Sequence, residues 1–210
     1  SFPIELQPQA LAETVEFVLQ QHELQQFVPF YHKELLEKLV ASPGERVAVL
    51  SNAGFECSVA ADALGSLELA RFSEPTARRL REALPPGIID VHNPVDATPL
   101  TNAVNYGRCL EAILADGGVD CLMAANVAPT PFMENLEAGE GHAEDIRHEN
   151  SYPNVTIRAF DATEKPMVAC LNSGPLYDPA VRMIEDAGVP CFRKIDRAMR
   201  ALELFIRHRS

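Results

Sequence analysis

VAVLSNAGFECSVAADAL, residues 47–64, brings two patterns together at one point. Val47 to Leu50 is an unbroken apolar run, the signature of a strand covered on both faces. Ser51-Asn52-Ala53-Gly54 makes a short turn, and apolar residues at helical spacing begin near Phe55. The first N–H groups of a helix lack intrahelical acceptors and stand at the positive end of its dipole. A strand–turn–helix of this kind therefore offers an anion site, for phosphate above all. The same glycine also serves tight packing, so this segment alone leaves a phosphate site and a structural turn both open.

Strands and helices alternate outward from it. Upstream, residues 9–21 and 31–41 place apolar residues three and four apart and read as helices, the second broken by Ser42-Pro43-Gly44. Downstream, a short strand is predicted around Leu67 to Phe72. Ser73 then caps a helix running to about Leu84, with Pro75 in its first turn and Pro85-Pro86-Gly87 at its end. A strand near 88–91 leads into the polar loop Asn93-Pro94-Val95-Asp96. A helix over roughly 102–115 is stopped by Asp116-Gly117-Gly118. Val119 to Ala125, apolar except for Asp120, reads as another central strand. Residues 127–153 are irregular and rich in Glu, Gly, His and Pro. A helix over 154–164, a strand from Met167 to Leu171, a helix over 178–187, a short strand at 190–192 and a helix over 196–208 complete the chain. There is no internal repeat and no low-complexity tract.

This alternation predicts a parallel sheet with helices on both faces and ligands beyond the carboxyl ends of its strands. The loops Ser51–Gly54, Asn93–Asp96 and Asn172–Gly174 follow predicted strands and are expected to gather on one edge. Asn93 before Pro94 favours extended backbone and a rigid turn, and Asp96 can cap the next segment or orient a ligand.

Composition narrows the function classes. The chain has 210 residues, 47% of them hydrophobic and 23% charged, as in soluble globular proteins. Its net charge of −12 opposes nucleic-acid binding, which asks for a basic face. The basic groups Arg78, Arg79 and Arg81, and those between Arg193 and Arg209, fall on predicted helices and read as solvated faces. No apolar run approaches membrane-spanning length, and no secretory signal opens the chain. The first residue is Ser, not Met, as expected of a piece of something longer.

The five cysteines (Cys57, Cys109, Cys121, Cys170, Cys191) have no metal-ligand spacing and read as reduced core residues of a cytoplasmic protein. Cys57 lies in the first turn after Gly54, where a helix N-terminus can lower a thiol pKa. No base stands near it in sequence. Ser51, Ser58 and Ser173 lack a nucleophile-elbow setting, and no dinucleotide fingerprint is present. His142 and His148, with Glu144, Asp145 and Glu149, suggest either a hard-metal cluster or a solvated acidic loop; the loop is the preferred reading, so no metal is assigned. His22, His32 and His208 fall on helical faces. His92, at a strand end beside Asn93, is the remaining acid–base candidate.

S-N-A-G at 51–54, A-A-D-A-L at 60–64, S-E-P-T at 73–76 with L-R-E-A-L-P-P at 80–86, and N-P-V-D at 93–96 occur in order. Y-G-R-C-L-E-A-I-L-A-D-G-G-V-D at 106–120, K-P-M-V-A at 165–169 and A-G-V-P-C-F at 187–192 follow. Together these resemble the C-terminal flavodoxin-like ligase domain of NDP-forming acyl-CoA synthetases, relatives of succinyl-CoA synthetase, over about residues 44–208. The resemblance implies a flavodoxin-like parallel sheet of about five strands, preceded here by a helical segment over 1–43. It also implies a phosphoryl relay in which acyl-CoA, phosphate and a nucleoside diphosphate give acid, CoA and a nucleoside triphosphate. The family uses CoA, NDP/NTP and Mg, none of them expected on this chain alone. The implied partners are a CoA-binding domain, a phosphohistidine-bearing domain and an ATP-grasp domain, on the same chain or another subunit.

Carried onto this sequence, the resemblance assigns Asn52, Ala53, Gly54, Phe55 and Glu56 to phosphate binding. The N–H groups of roughly Ala53 to Glu56 would face the phosphohistidine, and Asn93 and Asp96 would supply a supporting loop. Two departures stand out. Phe55 and Glu56 replace small residues of the family pattern, one narrowing the approach and the other placing a negative charge beside it. Gly141-His142-Ala143 resembles the triplet around the family's active-site histidine but precedes the Lys165–Leu171 strand instead of following such a strand. The alternative is an assembly module that kept the fold and lost phosphate binding, or, as a third reading, a small hydrolase using His92 and Asp96.

Overall fold

The structure, a computed structural model, describes residues 44–85 and 91–207. The predicted helices at 9–21 and 31–41, residues 86–90 of the predicted fourth strand region, and His22, His32 and His208 lie outside the described residues. β1 is Arg46–Ser51, α1 Gly54–Asp62, β2 Glu68–Leu69, α2 Glu74–Ala83, β3 Val95–Asp96 and α3 Ala103–Leu114. β4 is Cys121–Val127, α4 Tyr152–Asp161, β5 Met167–Asn172, α5 Asp178–Asp186, β6 Cys191–Phe192 and α6 Ile195–Arg207. Short 3-10 turns cover Pro131–Met133 and Pro175–Tyr177.

All pairings are parallel, in the order β2-β1-β4-β5-β6, with β3 also on β1. β2 pairs with the start of β1 (Arg46, Val47) and β3 with its end (Leu50, Ser51), so the two short strands share one flank and the six strands fill five ranks. Alternate residues of the central strands enter separate cores. Ala48, Leu50, Leu122, Ala124 and Ala169 pack under α2 to α5, whereas Val47, Val49, Met123, Val168 and Cys170 pack under α1 and α6. Burial on both faces explains the continuous apolar runs. The expected sheet and its two helical layers are observed.

Three local expectations change. Val95 and Asp96, read as loop, form a strand, because Asn93 anchors the segment alongside β1. The helix placed at 154–164 begins at Tyr152, with Pro153 in its first turn, where its missing N–H costs nothing. Ser73 is the N-cap residue of α2, yet its Oγ donates to Thr76 Oγ1 (3.2 Å) instead of capping the backbone.

Asp120, the polar break in the β4 region, is explained at the opposite edge of the sheet. Its carboxylate receives Arg46 Nε (2.8 Å), Nη2 (2.6 Å) and the Arg46 backbone N–H (3.0 Å), tying the starts of β1 and β4 together. The hydrogen bonds from Arg46 hold the Asp120 carboxyl below the ordinary carboxylate range.

Candidate functional site at the carboxyl edge of the sheet

Because every strand is parallel, the segments that follow Ser51, Asp96, Val127 and Asn172 emerge on one edge. Asn52 joins two of them. Its Oδ1 accepts from Val127 N (2.7 Å), and its Nδ2 donates to Val127 O (3.2 Å) and Thr130 Oγ1 (3.1 Å). Fully buried, Asn52 spends its side chain locking the β1 and β4 exits together, so its position serves the site by shape.

α1 starts with Ala53 as its N-cap, without a side-chain cap. The predicted fan of four amides is narrower than expected. Ala53 N donates to Ser51 Oγ (3.1 Å), and Glu56 N donates to Ala53 O (3.0 Å). Gly54 and Phe55 remain: among the described residues neither N–H has an acceptor. These two donors sit on the N-terminal turn of a nine-residue helix, where the dipole favours an anion.

Neither departure in the turn blocks them. The Phe55 ring is 56% exposed and turned outward. Glu56 is turned inward and fully buried, its Oε2 accepting from Ser51 Oγ at 2.5 Å. Burial raises its pKa, against the lowering effect of hydrogen bonds from Ser51 and Asn172, and Oε1 has no partner among the described residues. A buried acid shifted this way favours its neutral form, which relieves the repulsion an ionised Glu56 would bring to an anion. The sequence misses Ser51 in this role, since no nucleophile or capping pattern marks a serine at the end of a strand.

The negative charge beside the donors is Asp96. A Cβ added at Gly54 would lie 2.8 Å from Asp96 Oδ2, so glycine is needed for close approach. Asp96 Oδ1 accepts from Thr98 N (2.8 Å), fixing the carboxylate. Asn93 plays a different part. Its Oδ1 accepts from Val49 N (2.9 Å), while Nδ2 donates to Val47 O (2.7 Å) and Ala70 O (3.1 Å). One side chain fills the gap in the ladder between β2 and β3.

His92 is not brought to this edge. The segment runs parallel to β1 with Asp96 opposite Ser51 and Asn93 bonded to Val47 and Val49. His92 therefore lies roughly 10 Å below the strand ends, at about 3.3 Å per residue, and is exposed. Cys57 is equally remote from catalysis. Burial first, then the charges of Asp96 and Glu56, push its thiol up to about 12, the reverse of the lowering a helix N-terminus can cause.

The acidic excursion does not assemble a cation site. Glu144 Oε2 accepts from Asn135 N (2.8 Å), Asp145 Oδ1 from Arg147 N (2.9 Å), and His148 Nδ1 lies 3.2 Å from Glu134 Oε2. Among the described residues no group of three or more His, Cys, Asp or Glu is placed to hold a metal. Likewise no described helix is long and apolar enough to cross a membrane.

No family model matches the chain. It is 29% identical over 164 residues to acetate–CoA ligase (ADP-forming) I of Archaeoglobus fulgidus, covering 77% of this chain and 21% of that protein. The crystal structure of PH0766 from Pyrococcus horikoshii OT3 superposes with a TM-score of 0.65 at 28% identity, over 83% of this chain and 40% of that one. The dinucleotide-forming acetyl-coenzyme A synthetase 1 of Candidatus Korarchaeum cryptofilum, in complex with phosphate and ADP, shares the fold with a TM-score of 0.66 at 20% identity, over 84% and 37%. This chain thus spans only a small part of its curated relative. By sequence and by fold, it carries a domain related to the NDP-forming acyl-CoA synthetases.

Proposed function

We propose that this domain is one module of an NDP-forming acyl-CoA synthetase, and that the N-terminus of α1 stabilises a phosphoryl group presented by a histidine of a companion domain. The carrying observation is the pair of free amides, Gly54 and Phe55, at the start of a helix on the carboxyl edge of the sheet. Glu56 supports the reading by turning its carboxyl away into Ser51. An anion at such a helix end gains about 0.3–1 kcal/mol when exposed and up to about 2 kcal/mol when partly buried. Oriented donors contribute more in a dry site closed by a partner, where charge develops during transfer. The chemistry outside this chain (CoA, nucleotide and Mg binding, and the histidine itself) falls to the companion CoA-binding, phosphohistidine-bearing and ATP-grasp domains.

Titration of residues 1–210 with inorganic phosphate, followed by the amide resonances of Gly54 and Phe55, tests this. Saturable shifts at those two amides, lost in Gly54→Pro, are expected. Proline is tolerated in the first helical turn and removes one donor, and its ring must displace the Asp96 carboxylate. The Asp96 carboxylate beside the donors also favours the second reading, an assembly module without phosphate affinity. Amides that ignore phosphate while the chain holds a companion domain select it.

A further inference from the structure

We propose that the carboxyl edge of the sheet is a protein-docking face, and that its occupant is a partner surface of apolar side chains flanked by Lys or Arg. All six exposed large apolar residues among the described ones belong to this edge or to helix turns that start there. Phe55 follows β1, Leu100 follows β3, Phe132 follows β4 and Leu176 follows β5, while Val59 and Val104 extend Phe55 and Leu100 along α1 and α3. Single exposed apolar residues are ordinary, but six drawn from four separate loops onto one edge mark an interaction surface. The four strands involved lie side by side, so the row from Leu100 to Leu176 spans about 14 Å, three strand spacings. Leu100 and Leu176 are 61% and 68% exposed, although neighbouring Thr101 and Tyr177 turn into the protein.

Charge selects the occupant. The stretch 134–149 leaves the end of β4 at the same edge and carries six carboxylates against one arginine. A second copy would set this stretch against itself, and a whole-chain charge of −12 adds to that repulsion. A basic rim around an apolar centre matches both features. The curated relative holds nearly four-fifths of its length outside the region this chain matches, so ample partner surface exists in proteins of this kind. The inference stands apart from phosphate binding, since apolar contact needs no free amide.

A photo-crosslinking amino acid, p-benzoylphenylalanine, placed at Phe132 or Leu176 in the chain as its own cells make it, reads the surface directly, with Asp62 at the far end of α1 as control position. Crosslinked peptides from one common protein segment, apolar with Lys or Arg within a few residues, are expected from both edge positions and not from Asp62. The identified partner, purified, should then bind about tenfold more weakly to Leu100→Asp or Leu176→Asp chains of unchanged thermal stability, and more weakly in 0.5 M salt (roughly a 4 Å Debye length). Crosslinks to a second copy, equal labelling from Asp62, or binding indifferent to these substitutions or to salt would overturn the proposal.

Discussion

Ser51 Oγ donates to Glu56 Oε2 across 2.5 Å, with both residues fully buried under the first turn of α1. The same hydroxyl accepts the Ala53 N–H, so one serine links the end of β1, the helix cap and a buried acid. Such an acid makes the stability of the turn depend on pH.

Burial raises the pKa of folded Glu56 above its unfolded value. The stabilisation this brings is fully present below the unfolded pKa, about 4.3, and is lost as pH rises through the folded pKa. Glu56→Gln, neutral at every pH, should keep the acceptor for Ser51 and remove that loss. Urea unfolding of both chains between pH 5 and pH 9 measures it: the wild type should lose stability relative to the variant towards the alkaline end. Parallel curves would mean that Glu56 is ionised in the folded chain.

Asp120 behaves with the opposite sign. Its folded pKa is lowered by the Arg46 hydrogen bonds, so its contribution is present above about pH 4 and disappears as pH falls through the folded value. Asp120→Asn should lower stability at neutral pH and show a shallower acid limb than the wild type. Thermal unfolding from pH 7 down to pH 2.5 distinguishes the two curves.

Asn93→Ala removes three hydrogen bonds and leaves the polar backbone groups of Val47 and Val49 unpaired inside the sheet. A loss of about 2–3 kcal/mol is expected, with an unchanged urea m-value. Asn93→Asp should fare little better, because a carboxylate cannot donate to the carbonyls of Val47 and Ala70. A loss under about 0.5 kcal/mol would place this side chain outside the ladder.

The layered sheet was legible because VAVL at 47–50 and the run at 121–125 have no polar alternation, a pattern only double-sided burial tolerates. β3 was not legible: two residues carry no period, and what makes them a strand is an amide side chain reaching 44 positions back to Val49. The turn at Gly54 was legible as a place but not as a count of donors, since Ser51 and Ala53 consume two amides through contacts that spacing does not encode. His92 misled for the same reason, because its distance from the edge depends on the register of β3.

All five cysteines are buried, and burial raises the thiols of Cys57, Cys109 and Cys191 to about 12. Iodoacetamide at pH 8 should therefore leave the native chain unlabelled for hours while modifying all five sites in urea. Rapid native labelling of Cys57, read by mass spectrometry, would show the α1 turn opening.

Asp96 is the group whose removal should improve the candidate site. Its Oδ2 lies close enough to Gly54 to exclude a Cβ, so an anion received by the Gly54 and Phe55 amides meets a fixed negative charge. At a separation of several ångströms and an effective dielectric between that of water and that of a protein surface, one such charge opposes binding by about 1 kcal/mol. Asp96→Asn keeps the acceptor for Thr98 N and removes the charge, so phosphate should bind about fivefold more tightly, as read from the Gly54 and Phe55 amide shifts. The gain should shrink in 0.5 M salt, where exposed charges are screened. Unchanged or weaker binding in Asp96→Asn would mean that the carboxylate orients the ligand, with phosphate arriving paired to a cation instead of as a bare anion.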